Sequence, residues 1–243
     1  MVPRNIFQGS SRIIWREATA IRPILTISLV ALTAVLMIVS GQKTAEEWKE
    51  ESIALGELGK YDEAASVLEE AIRLDPEDAR AWVIKGNVLF MRGMYYEAIS
   101  ALDEAIKLDP EDSRAWGKKG LVLGTQGISD EAIYCFDEAI RLDPEYVDAW
   151  NNKGNALYYL KGNHAEAIEA FDEAIRLDPE NARVWFIKGI ALYDLGMYGK
   201  AVHAFDEAIR LDDGLFYARY KKTLALLMQV KHDLGGTGWR IMR

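Results

Sequence analysis

Residues 113–146 read SRAWGKKGLVLGTQGISDEAIYCFDEAIRLDPEY. Trp116, Gly120 and Leu123 fall at i, i+4 and i+7, which places them on one face of a helix. Gly127 ends that helix, because glycine enters the left-handed conformation at no steric cost. Ala132, Phe136 and Ala139 repeat the spacing in a second helix, and Pro144 breaks it. Outward from this block the pattern recurs. Trp48, Trp82, Trp116, Trp150 and Trp185 stand 34, 34, 34 and 35 residues apart. A fixed period of that length marks a supersecondary unit copied in tandem, each copy too small to bury its own apolar face.

The columns align over five copies. Ser52, Gly86, Gly120, Gly154 and Gly189 lie between the Trp and the Leu of each first helix. Gly59, Gly93, Gly127, Gly162 and Gly196 follow as stops. The second helices carry Leu68, Leu102, Phe136, Phe171 and Phe205 between two alanine columns. Small residues let the two helices approach, and the tryptophans are expected to fill the core between them. Lysines 85, 119, 153, 188 and 222 share a column and are read as stems packed inward with the ammonium reaching an acid on a neighbouring helix. The copy at 147–181 has one extra residue between Leu157 and Gly162, read as a longer turn. The fifth copy exits through Asp212-Asp213-Gly214 instead of Asp-Pro-Glu, which predicts a less rigid exit.

These columns resemble the tetratricopeptide repeat (TPR), with its Trp, Gly, Tyr, Ala, Phe, Ala and Pro at fixed offsets in 34 residues. The resemblance covers about 45–215. It implies an all-α, right-handed solenoid of five repeats (45–78, 79–112, 113–146, 147–181 and 182–215), sealed by a capping helix at 216–233. It also implies that the first helix of each repeat lines a concave groove that binds protein. The groove residues are then Asn87, Phe90, Arg114, Lys118, Leu121, Asn151, Asn152, Asn155, Tyr158, Arg183, Phe186, Ile190 and Tyr193. Lysines are usually leucines in the family at the column just described. Lys49, Arg114 and Lys118 match the carboxylate clamp of chaperone-binding members, but Ile53 and Ile84 replace its asparagines, so that clamp is incomplete.

Charge is distributed unevenly along the chain. Residues 1–41 carry a net +3, residues 42–215 a net −17 and residues 216–243 a net +5. An acidic repeat body argues against nucleic acid, whose binders show a basic face. The groove positions differ from the body. Arg80, Arg114, Lys118 and Arg183 outnumber Asp148 and Asp194, leaving a net +2. Cations, asparagines and aromatics together suit an extended peptide bearing a carboxylate. The plainer alternative is a generic solenoid surface with no ligand of its own.

Residues 23–42 contain no charge in 20 positions. As a helix they would span about 30 Å, the hydrocarbon thickness of a bilayer. Arg4, Arg12, Arg16 and Arg22 precede them, which places the basic segment 1–22 in the cytoplasm and the repeats on the far side. A cleaved signal peptide and a secreted protein are the alternative. Residues 234–243 read as a flexible basic tail.

No chemistry is concentrated anywhere. His164, His203 and His232 lack metal-ligand spacing, and no phosphate loop or nucleophile elbow occurs. Asp103-Glu104, Asp137-Glu138, Asp172-Glu173 and Asp206-Glu207 recur with the repeat and read as a solvated helix face. Cys135, the sole cysteine, reads as a small apolar filler. The chain is therefore expected to be no enzyme and to need no cofactor or metal. Two functions remain: a membrane-tethered adaptor that binds a protein segment in its groove, or a self-associating solenoid that builds an oligomer or filament.

Overall fold

The computed structural model describes residues 43–234. The expected membrane segment 23–42, the basic segment 1–22 and residues 235–243 of the tail lie outside them. Among the described residues there are eleven helices and no strand. They are α1 (Ala45–Glu57), α2 (Tyr61–Leu74), α3 (Ala79–Met91), α4 (Tyr95–Leu108), α5 (Ser113–Thr125), α6 (Ser129–Leu142), α7 (Val147–Tyr159), α8 (His164–Leu177), α9 (Ala182–Asp194), α10 (Tyr198–Leu211) and α11 (Phe216–Asp233). No helix among the described residues is long and apolar enough to cross a membrane.

The chain divides into two compact units after Pro76. In the first, α1 packs on α2. A capping box opens α1: the Glu47 amide donates to Thr44 Oγ1 at 3.2 Å while Glu47 Oε2 accepts from the Thr44 amide at 2.7 Å. Those bonds hold the Glu47 carboxyl below its ordinary pKa. Ser52 stands where later copies have Gly, and its hydroxyl donates to the Ala64 carbonyl at 2.9 Å, which satisfies it in a buried position.

In the second unit each first helix (α3, α5, α7, α9) packs on the second helix that follows it (α4, α6, α8, α10), and each second helix packs on the next first helix. The short turns make the members of a pair antiparallel. Those turns rest on glycines: Gly93, Gly127, Gly162 and Gly196 have φ between 64° and 77°, a region open to glycine without strain. The extra residue near Gly162 is absorbed in the turn, where the Asn163 amide still reaches the Leu157 carbonyl at 2.9 Å. The exit after α10 keeps its turn as well. Gly214 N–H donates to Asp212 Oδ1 at 2.9 Å, as Glu145 N–H does to Asp143 at 3.0 Å.

The core belongs to the phenylalanines. Phe136, Phe171 and Phe205 are fully buried, each against the glycine of the facing helix. A Cβ on Gly154 would come within 2.5 Å of the Phe171 ring, and one on Gly189 within 2.6 Å of Phe205. The tryptophans, expected in the core, are only half-buried. The reason is the indole N–H, which needs an acceptor. Trp116, Trp150 and Trp185 donate to the carbonyls of Pro110, Pro144 and Pro179 at 3.1, 3.0 and 3.0 Å, so each ring ties its helix to the turn that precedes it.

The lysine column forms a ladder across repeats. Lys119 pairs with Asp103 at 2.6 Å, Lys153 with Asp137 at 2.6 Å, Lys188 with Asp172 and Lys222 with Asp206. Each of the first three stems also lays its ammonium over the tryptophan of its own helix, Lys188 at 5.0 Å from the Trp185 ring. The Asp-Glu pairs are therefore more than a solvated face. The aspartate bridges to the next repeat, while Glu104, Glu138, Glu173 and Glu207 pair along their own helix with Lys107, Arg141, Arg176 and Arg210. Cys135 is buried beside Phe136, and burial pushes its thiol pKa up to about 11, so it packs as a small apolar group.

Candidate functional site

Successive first helices also touch one another: α3 with α5, α5 with α7, and α9 with α11. Between α5 and α7 this leaves a cleft of about 220 Å³. Leu121, Gly124 and Thr125 of α5 form one wall, and Asn152, Asn155, Tyr159 and Leu160 form the other. Three expected groove residues, Leu121, Asn152 and Asn155, thus meet in one place.

Asn155 is the unusual member. Its amide nitrogen lies 3.5 Å from Asn151 Oδ1, one turn earlier on the same helix. Its own carbonyl oxygen is buried and has no hydrogen-bond partner among the described residues. A buried acceptor left unpaired costs about 1–3 kcal/mol, so such groups call for an explanation.

The two α5 cations differ in their partners. Arg114 and Lys118 share a helix face, but Arg114 is engaged: its Nε meets Asp112 Oδ1 at 3.2 Å, and the Asp112 side chain is only 9% exposed. Asp112 also caps α5 through the Arg114 amide at 2.9 Å, so the aspartate has two reasons to sit beside Arg114. Lys118 is half-buried and makes no ion pair among the described residues. It lies one turn before Leu121 on α5 and is not itself among the residues that line the cleft.

Two contacts at the groove involve residues that pattern reading passed over. Gly117 takes a groove position where other copies have Val83, Asn151 and Phe186, and the Tyr146 ring fills the space it leaves. Burial raises the pKa of that phenol. The signal was present: Tyr146 stands where other copies have the helix caps Asp78, Asp112 and Asn181. Tyr159, next to the expected Tyr158, is the other. Tyr158 itself points along the groove, and its hydroxyl donates to Asp194 Oδ2 at 2.5 Å, one repeat further on. Burial and that carboxylate raise its pKa well above the ordinary tyrosine value.

The remaining expected groove residues lie apart from the cleft. Asn87 is exposed on α3, and Phe90 packs at 5.9 Å from Tyr95. Arg183 is exposed on α9. Phe186, Ile190 and Tyr193 lean on the cluster around Leu192 and Phe205, with Phe186 between Phe205 and Tyr217 at 6.0 and 5.9 Å. Lys221 of α11 adds a cation here, 5.7 Å from the Tyr193 ring and 5.5 Å from Tyr217. Among the described residues no group of His, Cys, Asp or Glu converges as a metal site.

Comparison with known proteins matches this architecture. The family model described as "Tetratricopeptide repeat" matches residues 50–113, 95–146, 118–182 and 158–216. The crystal structure of MamA is 25% identical, covers 67% of this chain and 94% of its own, and superposes with a TM-score of 0.61. YrrB, described as a TPR protein with an unusual peptide-binding site, is 23% identical over 72% of this chain and 90% of its own, with a TM-score of 0.60. A thermophilic TPR protein of Thermus thermophilus is 18% identical over 76% of this chain and 100% of its own, with a TM-score of 0.59. No curated protein matches the chain.

Proposed function

This chain belongs to the tetratricopeptide repeat family, and we propose that it is a scaffold that holds an extended segment of a partner protein in the cleft between α5 and α7. The buried, unpaired carbonyl of Asn155 carries this reading. A peptide lying in the cleft offers backbone N–H donors, and one of them would satisfy that oxygen in a low-dielectric place where the bond is strong. Leu121 and Tyr159 supply apolar walls for a side chain, and Lys118, one turn before Leu121, is the cation proposed to meet an acid on the ligand. The carboxylate is therefore proposed to meet Lys118 first, since Arg114 already pairs with Asp112. YrrB, with its peptide-binding site, gives a precedent for the architecture. The proposed role involves no catalysis.

The scaffold is further proposed to be tethered to a membrane by residues 23–42, with 1–22 in the cytoplasm and the repeats outside it. The support is the 20-residue run without charge and the arginines before it. Full-length protein should resist carbonate extraction, and protease on the outer side should digest the repeats. Recovery of a soluble mature chain starting near Gln42 would show cleavage instead.

The groove is tested by selecting peptides from a displayed library on the full chain and titrating them calorimetrically. Asn155→Leu and Lys118→Ala should each weaken a selected peptide by about tenfold or more. Asn155→Leu should not lower the melting temperature, because it removes an unsatisfied group. Peptides that bind Asn155→Leu as tightly as wild type would place the site elsewhere.

A further inference from the structure

The last described helix is built as a first helix, with no second helix after it among the described residues. Ala218, Lys222, Ala225 and Leu226 stand 34 residues after Val184, Lys188, Ala191 and Leu192. Its inner side behaves accordingly: Ala218 and Ala225 are fully buried, and Lys222 continues the ladder onto Asp206. In α3, α5, α7 and α9 the opposite side is covered by the antiparallel helix that follows. On α11 no described helix covers it.

That open side, with the groove edge beside it where Tyr220 and Leu227 stand 34 residues after Phe186 and Tyr193, is apolar. Phe216, Tyr220, Leu227 and Val230 are 75, 56, 52 and 54% exposed. Terminal elements of repeat arrays ordinarily turn a polar face outward. Phe216, Tyr220, Thr223, Leu227 and Val230 are spaced four, three, four and three residues apart, the heptad seam of a helix that pairs with another. Thr223 also replaces the glycine that admits a second helix at close range in every earlier repeat of this unit, so the seam suits the wider spacing of an ordinary helix pair.

We propose that α11 docks against α11 of a second copy, antiparallel, and that this pairing joins two chains tail to tail. The arrangement is self-complementary about a two-fold axis. Tyr220 faces Val230 of the second copy, Thr223 faces its Leu227, and the two Leu226 side chains meet beside the axis. At each end Arg219 faces Asp233 of the second copy, which gives two opposite-charge pairs in the antiparallel register. Arg219 is already held over the Phe216 ring, 5.7 Å from its centre. Asp233 is 65% exposed, with His232 beside it at 3.5 Å. A helix about 27 Å long buries on the order of 1,000 Å² in such a pair, at the low end of specific interfaces. An interface of that size suits a weak, reversible dimer.

The test uses full-length protein in a mild detergent, followed by sedimentation equilibrium over a concentration series. Wild type should pass from monomer to dimer, and exposed Leu227→Glu should weaken the dimer more than tenfold with an unchanged circular dichroism spectrum. Arg219→Asp and Asp233→Arg should each weaken it about tenfold, and the double variant should recover to within about threefold of wild type. Recovery cannot arise from misfolding, so it isolates the pairing. A monomer at all concentrations, an oligomer indifferent to Leu227→Glu, or a helix that binds anionic vesicles as a monomer would each overturn the proposal.

Discussion

The first helices α5, α7 and α9 face two ways, and the two faces follow opposite rules. Toward the second helices and the neighbouring repeat every copy does the same thing: glycine against phenylalanine, indole onto a proline carbonyl, lysine onto aspartate. Toward the groove the copies diverge. Gly117 and Leu121 become Asn151 and Asn155, and then Phe186 and Ile190, while Arg114 becomes Asp148 and returns only as Arg183. Repetition marks what one repeat needs from the next. Variation marks what an outside molecule can read. Stability and binding should thus respond to different substitutions on the same helix.

The largest effect is expected on the repeated face. Phe171→Ala should destabilise the protein by about 3–5 kcal/mol, since a fully buried ring leaves a cavity that packed helices refill poorly. Glycine substitutions sharpen the contrast by changing sign. Gly154→Ala drives a Cβ to 2.5 Å from Phe171 and should cost about 1–3 kcal/mol. Gly124→Ala meets only the Ala132 methyl at 3.8 Å and should stabilise α5 by about 0.5–1 kcal/mol. Urea titrations of the two variants measure both. If both destabilise alike, the close approach of Gly154 is not what sets the column.

Much of this was legible in the sequence, and the reason is repetition. The helix pairs, the glycine stops and the lysine-to-acid reach follow from columns that five copies agree on. Chemistry at a single atom was not legible. The tryptophan column looked like core because large aromatics usually are, and only the geometry shows the indole N–H turned to a proline carbonyl. Arg114 and Lys118 both counted as groove cations, yet Asp112 pairs with Arg114 and not with Lys118. The unpaired Asn155 oxygen depends on how α5 and α7 close together, which no periodicity encodes. The apolar side of α11 became visible only once no second helix was found to follow it among the described residues.

A smaller effect lies on the groove face and depends on pH. The Tyr158 hydroxyl joins two repeats through Asp194. Its pKa is raised in the folded state, so the folded protein keeps that proton when the unfolded chain has lost it. The stabilisation is fully present below the unfolded tyrosine value of about 10 and is lost as pH climbs toward the folded value. Tyr158→Phe should lower stability by about 1 kcal/mol at pH 8 and flatten its decline above about pH 10. Melting curves from pH 8 to 11 test this. Parallel declines in the two proteins would mean that the bond is not held in solution.

The smallest effect is expected where the eye sees the most regular feature, the lysine ladder. Lys153 and Asp137 pair at 2.6 Å, but their side chains are 23 and 48% exposed, so water competes for both charges. Such pairs contribute about 0–1 kcal/mol, and methionine would keep the apolar stem on Trp150 while losing only the charge. Lys153→Met should therefore shift stability by less than about 1 kcal/mol, with the difference shrinking in high salt. The informative comparison is with all four rungs, replacing Lys119, Lys153, Lys188 and Lys222 together. Rungs more than one repeat apart share no partner, so the four changes should add. A loss well beyond the sum would mean that each interface is coupled to the next, as in a one-dimensional array whose repeats fold together. The ladder would then set the cooperativity of the array even though each rung is weak.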